Sequence, residues 1–185
     1  MKKEFQTRPD GISDQWCINA GGFAWQDFLT AMPSLVFVVT GWKSNGKQNA
    51  CLHSWSTFMG AGTDDFICFM PAYKGGHMYQ SLKQTGECVL NFPSIDVYDR
   101  CIKTIGNNQF EADEITAAGL TAENAMQVNA PRIQECFLQI ECEYMWERAL
   151  FDNAGFFGNH DVAIALKAVH IAMERECYVT AGRGR

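Results

Sequence analysis

Two strand-like runs flank a short turn early in this chain, and that pairing limits the fold more than any other feature. Ser34–Trp42 (SLVFVVTGW) is rich in β-branched and aromatic residues, and Gln48–Phe58 (QNACLHSWSTF) alternates along its length. Between them, Ser44-Asn45-Gly46-Lys47 contains an Asn-Gly pair, which readily adopts the positive φ angles of a tight hairpin. An antiparallel pair is therefore expected at the start of the body. On the second run, alternation places Cys51, His53, Trp55 and Thr57 on one face and Leu52, Ser54, Ser56 and Phe58 on the other.

The rest of the chain extends this β-rich pattern. Asp65–Met70 (DFICFM) and Glu87–Phe92 (ECVLNF) read as strands, the first apolar enough for burial on both faces. Glu135–Trp146 alternates, with Cys136, Leu138, Ile140, Cys142, Tyr144 and Trp146 on one face and Gln139, Glu141 and Glu143 on the other; Val162–Met173 is a last long strand. A short helix follows His77, with Met78 and Leu82 on one face and Gly86 as its C′ residue. Pro93-Ser94 opens a second helix, where Ile95, Tyr98, Ile102 and Ile105 recur at 3, 4, 3 spacing as the expected apolar face. Residues 106–134 are polar and Ala-rich, with weak helical signals and Pro131 as a break. Strand–helix alternation is too irregular for a doubly wound parallel sheet. A mainly β fold follows, an antiparallel barrel with accessory helices outside it. At 185 residues one domain is expected, 1–185, with 1–32 as a lead-in and 93–134 as a helical excursion.

Composition narrows the function classes. A net charge of -6 and a pI near 5.2 argue against nucleic acid as a partner. No apolar run approaches a membrane span of about 20 residues, and no apolar stretch follows Lys2-Lys3 as in an export signal, so a cytoplasmic protein is expected. Most of the eight cysteines lie inside apolar runs (Cys51, Cys68, Cys88, Cys136, Cys142), and no C-x-x-C occurs. Reduced thiols acting as small core residues are expected, with no metal site.

Two stretches suit a small anionic, planar ligand. Lys74-Gly75-Gly76-His77 stands at a helix start, where free N–H groups, close backbone approach and a lysine would hold a phosphate; an ordinary Gly-Gly loop with a solvated lysine has the same sequence. Asn49, Ala50, His53, Ser54, Trp55, Ser56 and Thr57 offer edge donors, acceptors and an aromatic wall for a heteroaromatic ring; a half-exposed strand with a core Trp55 is the other reading. His160, in a loop before the last strand, either faces the ligand or is solvated; His170 is assigned to core or interface, and Phe69, Met70 and Met173 to core. No nucleophile motif is present, as befits a protein whose cofactor carries the chemistry.

In order, LVFVVTGWKSNGKQNACLHSWSTF, YKGGHMYQSLKQTGECVLNFPS, DEITAAGLT, APRIQECFLQIECEYMWE and KAVHIAM resemble the flavin reductase-like family of FMN-binding split barrels, which includes flavoredoxin; the resemblance spans about Pro33 to Met173. It implies a six-stranded Greek-key split barrel, a homodimer, and FMN bound near the dimer interface. Asn49 and Ser54-Trp55 match positions lining the flavin ring, Lys74, His77 and Met78 match the stretch that holds the phosphate, and His160 lies close to a family histidine. The chain departs from the family at Met78, where Thr or Ser is frequent, at Glu114, where lysine is frequent, and near Ala165, where glycine is frequent. The implied activity is an NAD(P)H-dependent flavin reductase, with NADH or NADPH as donor and free flavin, a partner protein or an iron centre as acceptor. A flavoredoxin-type electron carrier without NAD(P)H turnover and a non-redox ligand-binding barrel are the alternatives.

Overall fold

The computed structural model describes residues 2–12, 25–60, 62, 64–106, 109–150 and 161–182. The chain divides into two compact units, Met1–Ser34 and Leu35–Arg185. Within the first, helix α1 (Trp25–Thr30) ends where Ala31, at φ +46°, returns its N–H to the Asp27 carbonyl.

The second unit is built on one antiparallel sheet. In chain order its strands are β1 (Phe37–Trp42), β2 (Gln48–His53), β3 (Thr57–Gly60), β4 (Phe66–Tyr73), β5 (Glu87–Phe92), β8 (Leu138–Ala149) and β9 (Asp161–Met173). In space the order is β2-β1-β5-β8-β9-β4-β3. The two outermost strands are therefore consecutive in sequence, joined by residues 54–56 alone. A sheet whose first and last strands are three residues apart must curl on itself, and this makes it a split barrel. Counting 48–60 as one bent strand gives the six expected from sequence.

The hairpin forms as its turn chemistry dictates. Gly46 takes φ +77°, and Val39 pairs with Cys51 in the β1–β2 register. The second run is not a single strand, however. Trp55 adopts φ +56°, a left-handed backbone that is rare for a bulky aromatic residue, and the ladder breaks there. Cys51 and Phe58 consequently both pack on the inner core although seven residues apart, which an unbroken strand forbids. The expected face assignment holds up to His53 and reverses after Trp55.

Helix α2 (His77–Thr85) closes on Gly86 at φ +73°, with Met78, Ser81 and Leu82 buried. The barrel interior contains Phe37, Val39, Met70, Leu82, Leu90, Cys142, Ile164 and Leu166, with Met78 among them. A second core lies outside the barrel, where Val38 and Ala50 meet Val97, Cys101, Ile115, Ile133 and Cys136. It is formed by α3 (Ile95–Gly106), α4 (Glu114–Ala117) and a two-stranded sheet of β6 (Ala122–Asn124) with β7 (Pro131–Ile133). The last helix is α5 (Arg175–Gly182).

Three expectations are corrected here. Val97, Cys101 and Thr104 form the buried face of α3, and Ile95, Ile102 and Ile105 are exposed. The 93–134 excursion is only partly helical, and Pro131 opens a strand, at the two-stranded-sheet position where its missing N–H is tolerated. On the second face of β8, Gln139 and Glu141 are buried beside the 125–133 segment and Glu143 is exposed. Glu141 there accepts the N–H groups of Met126 (2.9 Å), Gln127 (2.6 Å) and Val128 (3.2 Å) and pairs with Arg132. Burial alone would raise the Glu141 pKa; these donors outweigh it and hold the carboxyl below its ordinary range. Met173, assigned to core, is also more than a third exposed. Among the described residues, no helix is long and apolar enough to cross a membrane.

Candidate functional site

The barrel has an open seam. β2 pairs only with β1, and β4 pairs with β9 and β3, so no ladder joins β2 to β4. Thr57 lies opposite Phe69 in the β3–β4 register. Across the seam, β2 meets the start of α2: Glu114 accepts the Ala50 N–H at 2.7 Å and lies 3.7 Å from His77 Nδ1, and Asn49 lines a crevice with Met78 and Ser81.

At the helix end, α2 begins with Gly76 as N-cap and has no side-chain cap. Its first helical hydrogen bond runs from the Gln80 N–H to the Gly76 carbonyl, so the N–H groups of His77, Met78 and Tyr79 precede the ladder and point out of the helix start. Glycine lets the backbone pass close to the Tyr73 ring before the helix: a Cβ on Gly75 would sit 2.7 Å from the ring's outer atoms, so the half-exposed tyrosine would have to move. Lys74 Nζ is 3.6 Å from Glu147, which already receives the Tyr79 hydroxyl at 2.9 Å and the Tyr144 hydroxyl at 3.2 Å and pairs with Lys83 at 3.4 Å. Burial tends to raise the Glu147 pKa, and the Tyr79 hydrogen bond and Lys83 charge overcome it, leaving the carboxyl below its ordinary range. Lys74 is the loosest of these partners and can turn to an anion without losing a hydrogen bond. Met78 contributes only backbone here, since its side chain is in the core.

The β2 side of the seam is covered by an ionic cluster. Lys43 and Glu114 form a fully buried pair at 2.8 Å. Lys43 Nζ also donates to the carbonyls of Gln109 (2.9 Å) and Ala112 (2.8 Å). The second Glu114 oxygen accepts the Ala50 N–H at 2.7 Å, and Thr104 Oγ1 accepts the Leu52 N–H at 3.0 Å. These side chains satisfy the outer N–H groups of β2 that a neighbouring strand would otherwise take. His77 Nδ1 lies 3.7 Å from Glu114 Oε1, and its ring meets Phe110 edge-on at 5.7 Å. Glu114 thus joins β2, α4 and the start of α2. Sequence had marked Glu114 only as a departure from a family lysine; its partner Lys43, adjacent to the hairpin turn, carried no signal.

The predicted ring-lining residues divide into two groups, apart from Ala50, whose side chain is buried in the outer core. Ser54, Trp55, Ser56 and Thr57 border the seam, with Trp55 45 % exposed, which rules out the core reading for it. Ser56 Oγ donates to the Ser54 carbonyl at 3.2 Å, tightening the bend. Asn49 and His53 point inward. Asn49 is 2 % exposed and lines a narrow crevice with Ser81, Met78 and Leu82; its Nδ2 and the Ser81 hydroxyl are buried without hydrogen-bond partners. The His53 ring packs on Phe37 at 5.7 Å, and burial pushes its pKa down to about 4. His160 lies outside the described residues.

Residues 29–175 match the family described as flavin reductase like domain. A relative from Methanothermobacter thermautotrophicus, an uncharacterized protein, is 33% identical over 114 residues, 62% of this chain and 51% of its own; the chain thus spans about half the length of the curated relative it matches. Nitrilotriacetate monooxygenase component B from Bacillus cereus superposes with a TM-score of 0.75 at 16% identity, over 95% of this chain and 84% of that one. Flavoredoxin of Desulfovibrio vulgaris (Miyazaki F) gives 0.68 at 15% identity, over 96% and 79%. Likeness at such identities concerns the fold alone; the family match covers most of the chain, which therefore belongs to the flavin reductase-like family.

Proposed function

We propose that this protein is an FMN-dependent oxidoreductase, an NAD(P)H:flavin reductase that works as a homodimer in the cytoplasm and passes electrons to free flavin, a partner protein or an iron centre. The observation that carries the reading is Trp55. A bulky aromatic residue held in a left-handed backbone, half-exposed at the seam of the barrel, is strain kept where a ring can use it. The helix start supplies the complement. An uncapped N-terminus with two glycines and Lys74 fits a phosphate.

In this reading the N–H groups of His77, Met78 and Tyr79 and the Lys74 ammonium hold the phosphate, and the backbone of 54–57 with the Trp55 indole borders the ring. Bound FMN supplies the electron-transfer chemistry. The protein's own part is to bind, orient and exclude water, and no side chain is required as acid or base. Asn49 takes part through its backbone and through the packing of α2, because its amide is buried.

The test is spectroscopic. The purified protein should be yellow or should turn so on addition of FMN, and NADH or NADPH should bleach the flavin band. A protein that binds FMN but is bleached by neither nucleotide is a carrier of flavoredoxin type, and one that takes up no FMN is a different kind of barrel. Lys74→Ala should weaken FMN binding by about tenfold at low ionic strength, equivalent to ~1.4 kcal/mol. The loss should shrink as salt screens the missing charge. Riboflavin, which lacks the phosphate, should bind both forms alike; an equal loss for riboflavin would move the phosphate elsewhere.

A further inference from the structure

Glu147, on β8, is shared by more cations than one carboxylate can neutralise. The Tyr79 hydroxyl donates to its Oε1 at 2.9 Å and the Tyr144 hydroxyl to its Oε2 at 3.2 Å. Two ammonium groups stand at the same carboxylate, Lys83 at 3.4 Å from Oε2 and Lys74 at 3.6 Å from Oε1. One positive charge is left over beside the start of α2.

The two lysines are not equivalent. Lys83 also donates to the Tyr144 hydroxyl at 3.0 Å and lies over the Tyr144 ring at 4.2 Å, so it is fixed whether or not Glu147 is charged. Among the described residues Lys74 makes no hydrogen bond, and Glu147 is its ion-pair partner; its side chain is 38 % exposed. Only the charge of Glu147 holds it. Glu147 in turn reaches the helix start through Tyr79, whose own N–H is one of those that precede the ladder. One lysine therefore serves two anion positions, the Glu147 carboxylate and the free N–H groups of His77, Met78 and Tyr79.

We propose that Glu147 competes with the flavin phosphate for Lys74 and so limits how tightly the flavin is held. The inference rests on the phosphate placement given above. Lys74 rests on the carboxylate in this structure and turns from it when a phosphate occupies the helix start. Lys83 and the two tyrosine hydroxyls then remain to satisfy Glu147. Release reverses the exchange, so neither the ammonium nor the carboxylate is unpaired at either stage. The arrangement suits a flavin that is taken up and released rather than one held throughout.

Glu147→Gln tests this, because it deletes the charge and keeps an acceptor for the tyrosine hydroxyls. Exposed ion pairs are worth at most a factor of five or so, and FMN should therefore bind the variant about three- to fivefold more tightly than the parent at low ionic strength, followed by quenching of flavin fluorescence. Added salt should shrink the gain. A residue that only braced α2 against β8 would lose affinity on substitution, not gain it. Riboflavin should bind parent and variant alike. Thermal melts of the flavin-free proteins report any loss of fold; should Glu147→Gln melt early, Glu147→Asp, which draws the charge back from Lys74, should show a smaller gain of the same sign. In a Lys74→Ala background, Glu147→Gln should change FMN affinity by less than about twofold. Unchanged or weakened FMN binding by Glu147→Gln overturns the proposal. So does a tightening shared by riboflavin, and so does an equal gain with and without Lys74, which would be plain repulsion between carboxylate and phosphate. The two readings fail separately: Lys74→Ala without effect on FMN removes the phosphate placement itself, whereas a weakened Lys74→Ala beside an unaltered Glu147→Gln removes only the competition.

Discussion

His53 shows what a single buried group does to the acid tolerance of this protein. Its ring packs on Phe37, its Nε2 is buried without a hydrogen-bond partner, and burial takes its pKa from 6.5 to about 4. The folded state therefore holds a neutral imidazole where the unfolded chain would take up a proton. Stability from this group is fully present above pH 6.5 and is lost as pH falls toward 4, a change of about 3 kcal/mol. His53→Leu should flatten the pH dependence of unfolding free energy across that window and leave carboxylate-driven losses at lower pH in place. Urea denaturation of both proteins at pH 7, 5.5 and 4.5 measures this. Parallel pH profiles would mean that His53 is solvated and titrates normally. Residue types at the seam were legible in the sequence, but their directions were not. Alternation gave His53, Trp55 and Thr57 one face, and only the left-handed backbone of Trp55 separates them.

Single elements were legible to very different degrees. β5 and α2 fall where their patterns and the Gly86 stop put them, because each has one apolar pattern and an unambiguous end. α3 has two stripes, and periodicity favours the isoleucines. The body instead takes Val97, Cys101 and Thr104, whose Thr104 hydroxyl serves the edge of β2. β6 and β7, three residues each, are too short to show a period. α4 is a single turn whose importance lies in one carboxylate. Glu114 neutralises Lys43 and holds the Ala50 N–H, so it fastens the outer layer to β2. Glu114→Gln keeps an oxygen for Ala50 and strands a buried ammonium, which should destabilise the fold by about 3–5 kcal/mol. Lys43→Met together with Glu114→Gln removes both charges and should recover most of that loss. Denaturation midpoints of the single and double variants test this, and a single variant within about 0.5 kcal/mol of the parent, the range of ordinary surface changes, would show the pair to be solvated.

At the scale of the whole barrel the question is whether the inner and outer cores form one cooperative unit. They share strands: on β1, Phe37 and Val39 face the interior while Val38 faces the outer layer, and β8 sends Ile140 and Cys142 inward with Glu141 beneath the 125–133 cover. The thiols report on both sides. Cys68, Cys88 and Cys142 are buried in the inner core, Cys101 and Cys136 in the outer one. Burial pushes the Cys68 thiol up to about 12; interaction with Cys88 and burial raise Cys142; contact with Cys101 and burial raise Cys136, and the same contact lowers Cys101. All five are buried out of a reagent's reach, so these cysteines should resist alkylation in the folded state and react only on opening. Because strands β1 and β8 cannot release one core and keep the other, all five should be labelled at one rate, that of global unfolding. Pulsed alkylation followed by peptide mass spectrometry distinguishes the outcomes. Faster labelling of Cys101 and Cys136 would make the outer layer a separate unit that opens while the barrel stays closed. The Lys43–Glu114 pair and the two buried Glu141 oxygens argue against that, since both would have to be exposed before the barrel itself gave way.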